Sequence, residues 1–221
     1  MKSVIVFSSS VGTFVGGGSK SYIDMLREDY TTYGLWANGL TIIHALKFVG
    51  QMLYRNCSTI ILHVGAVEAF TNRAPYFLHC TIHDMILNHL NQDQNFMAYV
   101  APNMLRAARE LDYELDPDYY RRVEPEDFRT LLRRFATFSE GFRVLVLGMT
   151  HPWVGHSRAV EQTEQAREYD NILKDVCAET KHMQFVPLLD ITSGKTIDTC
   201  HMTTEGHAKV YDERIKPLLE A

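Results

Sequence analysis

A serine hydroxyl attacks a carbonyl at neutral pH only when a neighbouring base takes its proton, and that base needs an orienting carboxylate. Three residues of this 221-residue chain are of the right types: Ser10, Asp198 and His201. Ser10 ends the run Ser8-Ser9-Ser10 and opens the glycine-rich stretch VGTFVGGGSKS. Asp198 and His201 stand three apart in the polar stretch ITSGKTIDTCHMTT, where a turn can aim both side chains at one place. His201 would then accept the Ser10 proton while Asp198 holds the imidazole. All three residue types are common, so the spacing alone does not make a triad. The surrounding elements have to bring the two ends of the chain together.

The hydrophobic pattern describes such elements. Val4 to Phe7 is a short continuous apolar run, as expected of a strand buried on both faces. Ser21 to Tyr30 reads as a short helix. Ile42, Leu46, Val49 and Leu53 recur at helical spacing over residues 40–54, after a turn at Asn38-Gly39. Ser58 to Val64 is a second buried strand, residues 143–149 a third, and Phe185 to Leu189 a fourth. A helix covers 159–179 with Tyr169, Leu173 and Val176 inward. A last helix runs from about 205 to 219, capped by Thr203 or Thr204, with Ala208, Tyr211, Ile215 and Leu218 on one face. Residues 71–140 are less regular. They read as a helical excursion with helices at 75–90 and 125–138, the second marked by Phe128, Leu131, Leu132, Phe135 and Phe138.

Strands alternating with helices predict one α/β domain over residues 1–221: a three-layer α/β/α sandwich around a mainly parallel, flavodoxin-like sheet. Such sheets bind ligands at the carboxyl ends of their strands. Ser10, Gly65, His151 and Asp198 all fall just after predicted strands, which places them on one rim.

In this order the residues resemble the GDSL or SGNH hydrolase superfamily. Ser8-Ser9-Ser10 stands at that family's first block, Gly-Asp-Ser, with Ser10 as nucleophile. Asn38-Gly39-Leu40-Thr41 resembles the second, whose glycine donates a backbone N–H to the oxyanion. Gly65-Ala66-Val67-Glu68 aligns with the third, Gly-x-Asn-Asp, and Asp198-Thr199-Cys200-His201 with Asp-x-x-His, followed by Gly206-His207. The resemblance implies an SGNH-like fold and an acyl-enzyme mechanism, with the Ser10 and Gly39 N–H groups as oxyanion donors. Val67 replaces the family's oxyanion asparagine and cannot donate; losing such a donor costs about 3–4 kcal/mol of transition-state stabilisation in a protease. Asn38, Thr13 and His63 are candidate substitutes.

HVGAVEAFTNRAP, GMTHPW and AREYDNILKDV are also similar to segments of SGNH proteins associated with bacterial capsule and exopolysaccharide genes. A hydrophobic residue at the asparagine position is ordinary there. That likeness implies an O-acyl ester on sugar, or a related small acyl donor, as substrate. Arg73 would be the matching arginine, either holding a substrate carboxylate or structural. Hydrolase, acyltransferase and catalytically weak binding protein are the three readings that follow.

Other patterns have competing explanations. GTFVGGGSKS approaches a phosphate loop, but Ser19 stands where a glycine is required before Lys20; a glycine turn beside a pocket is the alternative. His79, Cys80 and His83 lack the further ligands a zinc site needs, so no metal or cofactor is expected. His151 and Trp153, with His156 beyond, either line the acyl or sugar pocket or pack. His63 is either catalytic or a buried, hydrogen-bonded histidine. The aromatic stretch Tyr113 to Tyr120 would stack on a ligand or pack. A formal net charge of −5 does not favour nucleic acid as a partner. No apolar run reaches the roughly 20 residues of a membrane span. The four cysteines form no CxxC pair and read as mostly free thiols in a reducing compartment, with the cytoplasm as the expected location.

Overall fold

The computed structural model describes residues 2–13, 20–37, 39–52, 56–69, 123–153, 159–197 and 200–221. The chain divides into two compact units, residues 1–69 with 123–221, and residues 70–122; every described residue belongs to the first. The expected helix at 75–90, the aromatic stretch 113–120 and the residues His79, Cys80 and His83 lie outside the described residues.

Five parallel strands form one sheet in the order β2-β1-β3-β4-β5. They are β1 (Ser3–Ser8), β2 (Thr31–Trp36), β3 (Thr59–His63), β4 (Arg143–Leu147) and β5 (Met183–Val186). Val4 to Phe7 of β1 and Ile60 to Leu62 of β3 are buried, because helices cover both faces. The connection β1-α1-β2, with α1 at Tyr22–Asp29, runs one way along the sheet. The connections through α2 (Ile42–Met52), α4 (Pro125–Phe138) and α5 (Ala159–Glu179) all run the other way; the short α3 (Ala66–Ala69) follows β3. Right-handed crossovers therefore put α1 on one face and α2, α4 and α5 on the other. The contacts agree: α2 packs on α4, α4 packs on α5, and α1 meets the C-terminal helix. The expected three layers result, and the direction of winding reverses between β1 and β3, where this strand order opens a crevice at the carboxyl edge.

Four expectations are corrected. Strand β2 is not among the strands that the hydrophobic pattern predicts. It is a half-buried edge strand, TTYGLW, with Gly34 at φ 130°. Strand β5 spans Met183–Val186, not Phe185–Leu189: Pro187 has no N–H to continue the ladder, and Leu189 opens a short helix, α6 (Leu189–Thr192). Phe138 is 61% exposed, because the buried face of α4 follows Phe128, Leu132 and Phe135 and Phe138 falls off that stripe. The last helix comprises α7 (Thr204–Lys209), a π-helical turn (Val210–Ile215) and α8 (Lys216–Glu220). The wider π turn advances the inward position, so Leu219 rather than Leu218 follows Tyr211 and Ile215 into the core. Thr203 caps α7 by accepting the Gly206 N–H at 3.1 Å.

Candidate active site

The serine run leaves β1 as a tight turn. Ser9 caps a single 3-10 turn, Ser10–Gly12, its hydroxyl accepting the Val11 N–H at 3.4 Å. The Ser9 N–H donates to the His63 carbonyl at 3.2 Å, which ties this turn to the end of β3. Ser10 thus sits at the winding reversal, 7% exposed.

His201 arrives from the opposite end of the chain. Its loop is closed by a bridge between Thr196 and Met202. Two backbone bonds support it: Ile197 N–H to the His201 carbonyl at 2.9 Å and Thr203 N–H to the Lys195 carbonyl at 2.7 Å. This brings His201 Nε2 to 2.8 Å from Ser10 Oγ, across 191 residues of sequence. At that distance the ring can accept the hydroxyl proton directly. Asp198 lies outside the described residues, as do Asn38 and Arg73.

Gly39 has φ 75°, a left-handed conformation that a side chain would strain, so the turn after β2 requires glycine. Next to it, Thr41 and His44 open α2 reciprocally: the Thr41 N–H reaches His44 Nδ1 at 3.0 Å and the Thr41 hydroxyl meets the same atom at 2.9 Å. Glu68, fully buried, joins the second and third motif segments. Its carboxylate accepts the Ile42 N–H at 2.6 Å and the Gly65 N–H at 2.9 Å. The first satisfies an otherwise unpaired N–H at the start of α2. Val67, in α3, is half-buried. Sequence reasoning aligned Glu68 without foreseeing this clasp; an acidic residue shortly after a strand-ending glycine was the available signal.

His63 is 3% exposed, and its Nδ1 lies 2.8 Å from the Tyr22 hydroxyl. Burial, then the proximity of His207, pushes its imidazole down to about 3, so it is neutral at ordinary pH. Thr13 directs its hydroxyl to the Ser10 carbonyl at 3.4 Å. On the β4 side, the His151 N–H donates to Thr192 Oγ1 and its Nδ1–H to the Pro152 carbonyl, both at 2.8 Å. Trp153 is 42% exposed. The glycine-rich stretch ends in α1, where Ser21 and Asp24 form a capping box; residues 14–19 lie outside the described residues. Cys177 is a buried free thiol, and burial pushes it up to about 12. Among the described residues, no group of three His, Cys, Asp or Glu side chains could hold a metal ion. No described helix is long and apolar enough to cross a membrane.

No family model matches the chain, and no curated protein matches it in sequence. Solved structures do. The acetyl xylan esterase AlAXEase superposes with a TM-score of 0.60 at 16% identity over 96% of each chain. The lipase/acylhydrolase from Enterococcus faecalis gives 0.60 at 12% over 97% of each chain. A member of the lipolytic G-D-S-L family from Veillonella parvula gives 0.57 at 11%, over 100% of this chain and 98% of that one. The fold is the SGNH hydrolase fold.

Proposed function

We propose that this protein is a serine ester hydrolase in which Ser10 is the nucleophile, His201 the general base and Asp198 the residue that orients His201. The observation carrying this reading is the 2.8 Å approach of His201 Nε2 to Ser10 Oγ. The hydroxyl is buried on one side by its turn, and the ring comes from a loop held by three hydrogen bonds to its backbone, two of which make the Thr196–Met202 bridge, so the pair is held in place before substrate binds.

In the proposed reaction Ser10 attacks the ester carbonyl as its proton passes to His201. The Ser10 and Gly39 N–H groups hold the oxyanion. His201 then gives the proton to the leaving alcohol, and water resolves the acyl-enzyme by the same route. An acceptor hydroxyl in place of water would make the protein an O-acyltransferase. The protein's likeness to SGNH proteins of capsule and exopolysaccharide gene sets favours an acyl ester on a carbohydrate. The name of the structural neighbour AlAXEase, an acetyl xylan esterase, is in keeping with that class. Gly65, Val67, Arg73, His151 and Trp153 are the residues proposed to face the substrate, in a cytoplasmic setting.

Val67 favours a second reading, a catalytically weak SGNH-like binding protein, because a half-buried valine supplies no oxyanion donor. Turnover of short-chain aryl esters decides between them. The hydrolase reading expects saturable turnover that Ser10→Ala abolishes. Equal turnover by the wild type and Ser10→Ala would remove Ser10 from the mechanism, and saturable ester binding without turnover would favour the second reading.

A further inference from the structure

The loop that carries His201 has a support that none of the catalytic motifs contains. Thr150, 1% exposed, lies just beyond β4, and its hydroxyl donates to the carbonyl of Cys200 at 2.8 Å. Cys200 immediately precedes His201, so this bond fixes the peptide plane from which the imidazole departs. Thr150 is itself held: the preceding Met149 N–H donates to Asp170 of α5 at 2.8 Å, and the following His151 N–H donates to Thr192 of α6 at 2.8 Å. Thr192 in turn donates to the Leu188 carbonyl at 2.8 Å. The backbone on both sides of Thr150 is thereby anchored to two helices, and its one free hydrogen points at the catalytic loop.

We propose that Thr150 is a positioning residue for His201, acting through the Cys200 carbonyl to hold Nε2 against Ser10 Oγ. This rests on the reading of Ser10 and His201 as nucleophile and base. The bonds within residues 195–203 close the loop on itself, whereas the Thr150 bond ties its far end to the sheet. A displacement of about 1 Å at a reacting group lowers rates about 100-fold. Because Thr150 sits behind the loop rather than at the substrate, its loss is expected to fall on kcat, with KM little changed.

The test compares Thr150→Val, which keeps shape and removes the hydroxyl, with Thr150→Ser, which keeps the hydroxyl. Two quantities are read per folded protein: kcat and KM on an aryl ester, and the rate of covalent labelling by a fluorophosphonate. Thr150→Cys, with similar volume and a weak donor, stands in if the valine variant does not fold. The expected result is a fall of about tenfold or more in kcat and in labelling for Thr150→Val, unchanged KM, and recovery to near wild type in Thr150→Ser. Wild-type kcat and labelling in Thr150→Val, or equal losses in the serine and valine variants, would overturn the proposal. Ser10→Ala run alongside keeps the two ideas separate: if it loses labelling while Thr150→Val does not, only the role of Thr150 fails.

Discussion

The Tyr22 hydroxyl and His63 Nδ1, 2.8 Å apart, form the centre of a buried polar chain behind the nucleophile turn. Tyr22 also meets Ser8 Oγ at 3.1 Å, and Ser8 donates to the Ser9 carbonyl at 3.1 Å. One arrangement of protons satisfies every member: His63 Nδ1–H to Tyr22, Tyr22 to Ser8, Ser8 to Ser9. Burial raises the Tyr22 phenol far above its ordinary range, which keeps it a neutral donor. The two serines that replace Gly-Asp in the motif are therefore employed as links between β1 and the turn.

Tyr22→Phe breaks that chain in the middle and leaves a buried ring nitrogen and a buried hydroxyl short of a partner. The expected cost is about 1–3 kcal/mol of stability, measured by urea unfolding. A loss within error of zero would mean that the chain is not a structural element.

Buried His63 and partly buried Asp170 set opposing pH dependences. Burial pushes the Asp170 carboxyl up to about 6, the Met149 N–H pulling the other way, while His63 is pushed down to about 3. Between about pH 4 and 6 the folded chain holds more protons at Asp170 than the unfolded chain does, so that contribution falls as pH rises. Over the same range the unfolded chain holds more at His63, so that contribution rises with pH. Each slope is at most about 1.4 kcal/mol per pH unit, and they largely cancel. Asp170→Asn is expected to lose stability more steeply than wild type on acidification from pH 6 to 4, and His63→Gln less steeply. Parallel curves for all three proteins, from unfolding titrations across that range, would refute this assignment.

Glu68→Gln keeps the size of the side chain but leaves one acceptor oxygen for two backbone N–H groups, so one bond of the clasp between α2 and the turn after β3 is lost and an NH2 faces a buried N–H. A loss of about 1–3 kcal/mol is expected by chemical denaturation. Because Glu68 holds the segments bearing Gly39 and Val67, kcat on an aryl ester should fall too. An unchanged melting curve would show that the second acceptor oxygen contributes nothing.

How much of this was legible depended on which side of each element is buried. Strands β1, β3 and β4 are covered on both faces and read as unbroken apolar runs. Strand β2 is half-exposed along its length and carries a glycine, which ordinarily argues against a strand. The glycine is there because a Cβ at position 34 would lie 1.9 Å from the Val6 carbonyl oxygen. That close approach exists only in the folded sheet. Ser10 and His201 were found through motif order, since their spacing says nothing by itself. Thr150 gave no comparable signal: its partner is a backbone carbonyl 50 residues away, and backbone carries no sequence signature.

The most direct test of the central claim is to find the acyl group. The protein is mixed with an activated aryl ester whose acyl-enzyme hydrolyses slowly, quenched in acid, and the adduct is located by mass spectrometry. Trypsin releases Ser10 in the peptide spanning residues 3–20, and fragmentation resolves it from its neighbouring serines. One acyl group per chain is expected on Ser10, absent from both Ser10→Ala and His201→Ala. An acyl group on Cys200 or another residue, or full ester turnover by Ser10→Ala, would contradict it.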